Sequence, residues 1–101
     1  MKGTDQTRAD DYAAWFRCLS DGTRVRLLTL VAIADEPITV GEIVEAVGRS
    51  QSTVTAHLKR LSAEGFVFTE SDGVRTLVRV NETCMTALPE AAAVIMNSDL
   101  A

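Results

Sequence analysis

The segment Ser50-Gln51-Ser52-Thr53-Val54-Thr55-Ala56-His57-Leu58-Lys59-Arg60-Leu61 has the residue types and spacing of a surface that reads DNA. On a helical wheel of about 100° per residue, Val54, Leu58 and Leu61 fall together as an apolar stripe. Ser52, Thr55, Ala56, Lys59 and Arg60 fall on the opposite side. Short hydroxyl side chains let a helix approach base edges in a major groove, while Lys59 and Arg60 reach phosphates. The amide of Gln51 suits a bidentate contact with adenine, and Ala56 is small enough to meet a thymine methyl. With Arg49, Ser50, Thr53 and His57 these residues form the candidate DNA-contacting set. His57 lies on the flank of the apolar stripe. It is either a half-buried imidazole hydrogen-bonded within the domain or a phosphate or base contact. Taken alone, the segment also fits an ordinary solvent-exposed amphipathic helix.

Two more sets of residues invite a chemical reading. Arg75 and Arg79 lie four apart on an extended run, so they share one face and can reach phosphates or an adjacent minor groove. Asp72 and Glu70 beside them weaken that contact. Cys18 and Cys84 are the only cysteines. They are either small buried hydrophobes or a thiolate pair for a soft metal ion, a metalloid or an oxidant. Glu82 and Glu90 could add oxygen ligands, although acidic groups near a helix N-terminus are common for dipole reasons. The single histidine and the absence of a Gly-rich phosphate loop leave no nucleophile–base constellation, so an enzyme is not expected.

The elements that must hold these residues follow from periodicity and punctuation. Residues 1–9 read as a flexible tail. Asp10–Leu19 forms a first helix with Ala13, Trp15, Phe16 and Leu19 inward. Ser20 or Asp21 caps a second helix over Thr23–Ala34, apolar around most of its circumference and therefore central. Asp35-Glu36-Pro37 ends it. A short third helix, Val40–Val47, stops at Gly48, which suits a left-handed cap. Ser50 caps the fourth helix, Gln51–Glu64, and Gly65 terminates it. Phe66–Glu70 and Val74–Val80 are strand-like and flank the turn Ser71-Asp72-Gly73, giving a hairpin. A last helix covers Asn81–Asn97, and Pro89 must either kink it or mark its true first turn. The expected fold is mainly α with a small β-hairpin: a winged helix-turn-helix of five helices and a two-stranded wing. One domain, 10–97, carries DNA binding and dimerisation, and 98–101 is a C-terminal tail.

Charge gives a weaker signal. The chain carries a net charge of -4, whereas DNA binders are usually basic. From Gly48 to Val80, Arg49, Lys59, Arg60, Arg75 and Arg79 oppose Glu64, Glu70 and Asp72. The acidic remainder would turn this middle segment toward a polyanion. The same acidity motivates a different class of function, a winged-helix module that binds protein instead. With 47% apolar and 24% charged residues the composition is that of a soluble globular domain. The polar start MKGTDQTRADD and the lack of an apolar run of roughly 20 residues point to a cytoplasmic protein without a membrane segment.

The run Leu19-Ser20-Asp21-Gly22-Thr23-Arg24-Val25-Arg26-Leu27-Leu28, together with Ser50 to Leu61, closely resembles the ArsR/SmtB family of bacterial transcriptional repressors. The resemblance extends from about Ala14 to Asn97. It implies a homodimer joined through its first and last helices, seated on an imperfect palindrome of double-stranded operator DNA and released by an effector. Thr55-Ala56 stands where the family often has Ser-Arg, and Gly22 replaces a commonly seen proline. The family's metal sites do not carry over. Its cysteine pair would fall on Thr39-Val40-Gly41. Its last-helix site would fall near Glu82, Cys84, Ile95 and Ser98, where two positions lack suitable ligands. No cofactor is required on this reading. If an effector exists, a thiophilic ion, metalloid or oxidant acting on Cys18 and Cys84 is the expectation, and an effector-independent repressor is the alternative.

Overall fold

The computed structural model describes residues 5–96. The elements run α1 (Gln6–Cys18), α2 (Gly22–Ile33), β1 (Ile38–Thr39), α3 (Val40–Val47), α4 (Gln51–Ala63), β2 (Val67–Ser71), β3 (Thr76–Val80) and α5 (Glu82–Met96). This is the expected winged helix-turn-helix order, with three differences. Residues 1–4 of the expected tail, Asn97 at the expected end of the last helix, Ser98 and the segment 98–101 lie outside the described residues.

The first difference is the start of α1. Asp5 accepts a hydrogen bond from the Arg8 amide at 2.9 Å, so residues 6–9, assigned to the tail from sequence, belong to the helix. An N-cap carboxylate satisfies a donor that the first turn leaves unpaired.

Second, the expected β2–β3 hairpin carries an additional two-residue strand, giving a three-stranded sheet of order β1-β3-β2. Ile38 pairs with Val78 and Thr39 with Leu77. A two-residue strand is too short to show alternation in sequence. It forms because β-branched Ile38 and Thr39 meet the free edge of β3. Within the hairpin, Val67 faces Val80 and Phe68 faces Arg79, and the strands begin later than expected, at Val67 and Thr76.

Third, Pro89 lies inside α5, eight residues into it, and does not mark its first turn. Proline has no amide hydrogen to donate to the Met85 carbonyl.

The core is one cluster. Leu27 and Val31 of α2, Ile43 and Val47 of α3, Val54, Leu58 and Leu61 of α4, and Phe66, Val67 and Val78 of the wing are buried together. Cys18 and Cys84 complete it. Asn81 locks the wing to the helices: its amide N–H donates to the Phe66 carbonyl at 2.9 Å, and its side chain donates to the Gly65 carbonyl at 2.8 Å. Among the described residues no helix is long and apolar enough to cross a membrane.

Candidate nucleic-acid interface

The turn between α3 and α4 sets the direction of the candidate reading helix. Gly48 closes α3 in the left-handed region at φ 68°, and its amide donates to the Val44 carbonyl at 3.0 Å. A side chain there would meet the steric penalty of that region, whereas glycine does not. Ser50 then starts α4. Its Oγ accepts from the Thr53 amide at 3.2 Å and donates to Thr53 Oγ1 at 2.9 Å. Ser50 and Thr53 are therefore engaged in capping, which limits what they can offer a ligand.

Three faces of α4 can be distinguished. Val54, Leu58 and Leu61 are buried, as the wheel predicts. Gln51, Ser52, Ala56, Lys59 and Arg60 are exposed, and Arg49 and Ser50 are exposed in the turn before them. Thr55 is half-buried rather than open. It lies with Gln51 and Lys59 along one wall of a groove of about 720 Å³, with Thr69, Val74, Arg75 and Thr76 of the wing opposite. Sequence reasoning missed this groove, because it forms between elements that are distant in the chain.

The third face holds His57. The imidazole is half-buried, and its Nδ1 lies 3.3 Å from Nη1 of Arg24. Of the two readings offered by sequence, the structure supplies the intramolecular hydrogen bond. Arg24 was not singled out from sequence, and nothing in its spacing signals a partner 33 positions away.

The two wing arginines do not act as a pair. Arg75 precedes β3 and is bound to Asp72, with Nη2 at 2.8 Å and Nε at 3.1 Å from Oδ2. Asp72 also accepts from the Arg75 amide at 2.8 Å. These bonds hold its carboxyl below the usual carboxylate range, the backbone amide of Arg75 contributing most. Arg79 stacks on the Phe68 ring, its guanidinium carbon 4.4 Å from the centroid, and lines a different cavity with Pro37 and Phe68. The common face expected from a spacing of four fails because Arg75 belongs to the turn and not to the strand.

Cys18 and Cys84 are both free and both buried in the same core cluster of one chain. Burial pushes the Cys18 thiol up from its ordinary value, partly opposed by Arg24. Burial does the same to Cys84, and the neighbouring Cys18 adds to the rise. A thiol held protonated is a poor nucleophile and a poor metal ligand. Among the described residues no group of three or more His, Cys, Asp or Glu side chains is placed to hold a metal ion. The donors fit at most a soft ion bound by two sulfurs, not a tetrahedral site.

An exposed polar helix face beside a β-wing is the arrangement of a winged helix-turn-helix domain. Residues 21–69 match the model of the bacterial regulatory proteins of the arsR family. It is 37% identical over 65 residues to the HTH-type transcriptional regulator KmtR of Mycobacterium tuberculosis, covering 64% of this chain and 48% of that protein. It is 36% identical over 76 residues to a probable mercury resistance operon repressor of Streptomyces lividans, covering 75% of this chain and 59% of that protein. The chain thus spans about half of the length of these curated relatives. Among solved structures, the homodimeric winged helix-turn-helix DNA-binding domain Mb0332 of Mycobacterium bovis superposes with a TM-score of 0.71 at 26% identity, covering 93% of this chain and 89% of that one. HlyU of Vibrio cholerae gives a TM-score of 0.74 at 20% identity, covering 88% and 95%.

Proposed function

We propose that this chain is a transcriptional repressor that binds a palindromic operator as a homodimer and reads it with α4. The observation that carries the reading is the solvent-open strip Gln51, Ser52, Ala56, Lys59 and Arg60, supported behind by a fully buried Val54, Leu58 and Leu61. Gln51, Ser52 and Ala56 meet base edges, and Arg49, Lys59 and Arg60 meet phosphates. Arg79 is a backbone contact of the wing, and Arg75 contributes once it leaves Asp72. The half-exposed apolar side chains Phe16 on α1 and Met85 and Ile95 on α5 support a dimer through those two helices. The Mycobacterium bovis domain is homodimeric.

The effector half of the proposal is a thiophilic ion or oxidant acting on Cys18 and Cys84. It is supported by the two thiols in one cluster and by the mercury operon repressor among the relatives. Their burial favours a second reading, an effector-independent repressor. A change in how α1 and α5 pack would alter the separation of two reading helices, which must match about one turn of DNA.

The test is selection of duplexes from a random-sequence library by the purified chain at physiological salt. Enrichment of an inverted repeat, and loss of binding in the Lys59→Glu, Arg60→Glu double variant, are expected. Failure to enrich any sequence would leave the protein-binding alternative as the better reading. A homodimer is expected by sedimentation. Release of the selected duplex by Hg(II), abolished when both cysteines are serine, decides between the two effector readings.

A further inference from the structure

The corner where α1, α2 and α4 meet is held by a connected set of polar contacts. Arg24, in the first turn of α2, has a side chain only 13% exposed. Its Nε donates to the Cys18 carbonyl at the end of α1, and its Nη1 lies 3.3 Å from His57 Nδ1 on α4. The same Nη1 is 3.9 Å from Oδ2 of Asp21, the residue whose other carboxylate oxygen caps α2. Cys18 closes the set, because its thiol donates to the Arg60 carbonyl of α4 at 3.6 Å.

A guanidinium has donors and no acceptor and stays protonated in proteins. Nδ1 of His57 must therefore accept, which fixes the imidazole as the neutral Nε2–H tautomer. The planar fork can serve the Cys18 carbonyl and the imidazole together, whereas the point charge of a lysine cannot hold the same pair of directions. The joint thus references the flank of α4 to the rigid start of α2. A helix that must present side chains to base edges depends on such support, since small misplacements degrade directed contacts.

We propose that Arg24 is a positioning residue for DNA reading: through His57 it fixes the roll of α4 that presents Gln51, Ser52 and Ala56. This rests on the proposed DNA-binding function, but the joint itself can be tested without DNA. His57 is the sole histidine, so long-range ¹H–¹⁵N spectra of the ring report one residue unambiguously. Wild type is expected to show a pyridine-type Nδ1 and a pyrrole-type Nε2. Arg24→Met keeps an apolar stem but removes every donor, and the Nδ1 resonance should then move downfield, toward the position of a pyridine-type nitrogen with no hydrogen-bond donor. An unchanged Nδ1 resonance in Arg24→Met would overturn the joint whatever the protein does with DNA.

The second arm uses the duplex enriched by selection. Arg24→Met and His57→Leu should each weaken binding about tenfold, and the double variant should be no weaker than the worse single one. His57→Asn places an amide oxygen near the position of Nδ1 and should recover most of the loss. Arg24→Lys serves if Arg24→Met does not fold, and should give an intermediate affinity. Additive losses in the double variant, or Arg24→Lys binding as wild type does, would overturn the positioning role. A wild type that binds no selected duplex overturns the DNA reading, and the positioning role with it, while the spectra still decide the joint.

Discussion

The thiol of Cys18 lies 3.6 Å from the carbonyl oxygen of Arg60. The last residue of α1 is therefore bonded to the last turn of α4, the helix proposed to read DNA. The Arg60 carbonyl also accepts from the Glu64 amide at 3.3 Å, so the thiol adds a second donor to an oxygen in the last turn of the helix. Cys18, a candidate sensor in sequence, is a buried core side chain beside the helix proposed to read DNA.

Truncating that side chain should be felt in stability. Cys18→Ala removes a buried sulfur and a weak hydrogen bond and leaves a small void, and it should cost about 1–2 kcal/mol. Urea denaturation checks this: the midpoint should fall while the slope stays the same.

Both thiols have pKa values raised by burial above 9.0. Below pH 9 both states keep the proton, so neither thiol costs the fold anything. As pH rises through the unfolded value, the unfolded chain ionises first and stability falls, levelling off once the folded thiols ionise too. Denaturation midpoints should therefore decline above about pH 9, and the decline should shrink when both cysteines are alanine. In the same state a thiol-exchange reagent at neutral pH should label the native protein far more slowly than the denatured one. Fast native labelling would favour the thiol effector.

Asp21 behaves oppositely. The backbone amides of Arg24 and Thr23 lower its carboxyl below 3.8, the Arg24 amide contributing most. Its contribution is present above the unfolded value and disappears as pH falls through the depressed folded one. Asp21→Ala should thus destabilise at neutral pH, and the gap to wild type should narrow in acid. Thermal melts at neutral pH and near pH 3 would show this.

Gly48 is held at φ 68° with open space where a Cβ would stand. Gly48→Ala should cost about 1–2 kcal/mol through backbone strain alone, measured by chemical denaturation. Because the turn aims α4, affinity for the selected duplex should fall by more than the same loss of stability produces elsewhere in the domain.

Apart from β1, the order of elements was legible from residues alone. The stripe Val54, Leu58 and Leu61, the cap Ser50, and the glycine that ends α3 are local signals, and each falls where spacing and side-chain chemistry put it, while of the two caps offered for α2, Ser20 and Asp21, the fold uses Asp21. The polar face of α4 was legible for the same reason. A wheel resolves inside from outside on a single helix, whatever that helix packs against.

What the sequence could not show depends on pairs of residues far apart in the chain. The strand β1 exists because Ile38 finds Val78. Thr55 is half-buried in a groove that it shares with Thr69, Val74 and Thr76 of the wing. His57 Nδ1 gains a partner only when Arg24, 33 positions away, is brought against it. Residue type and spacing determined which helix face is polar, because the helical repeat is a property of the local backbone. Only tertiary packing decided which of those polar groups stay free for a ligand and which are spent inside the domain, because burial and hydrogen-bond partners are set by elements that meet after the chain has folded.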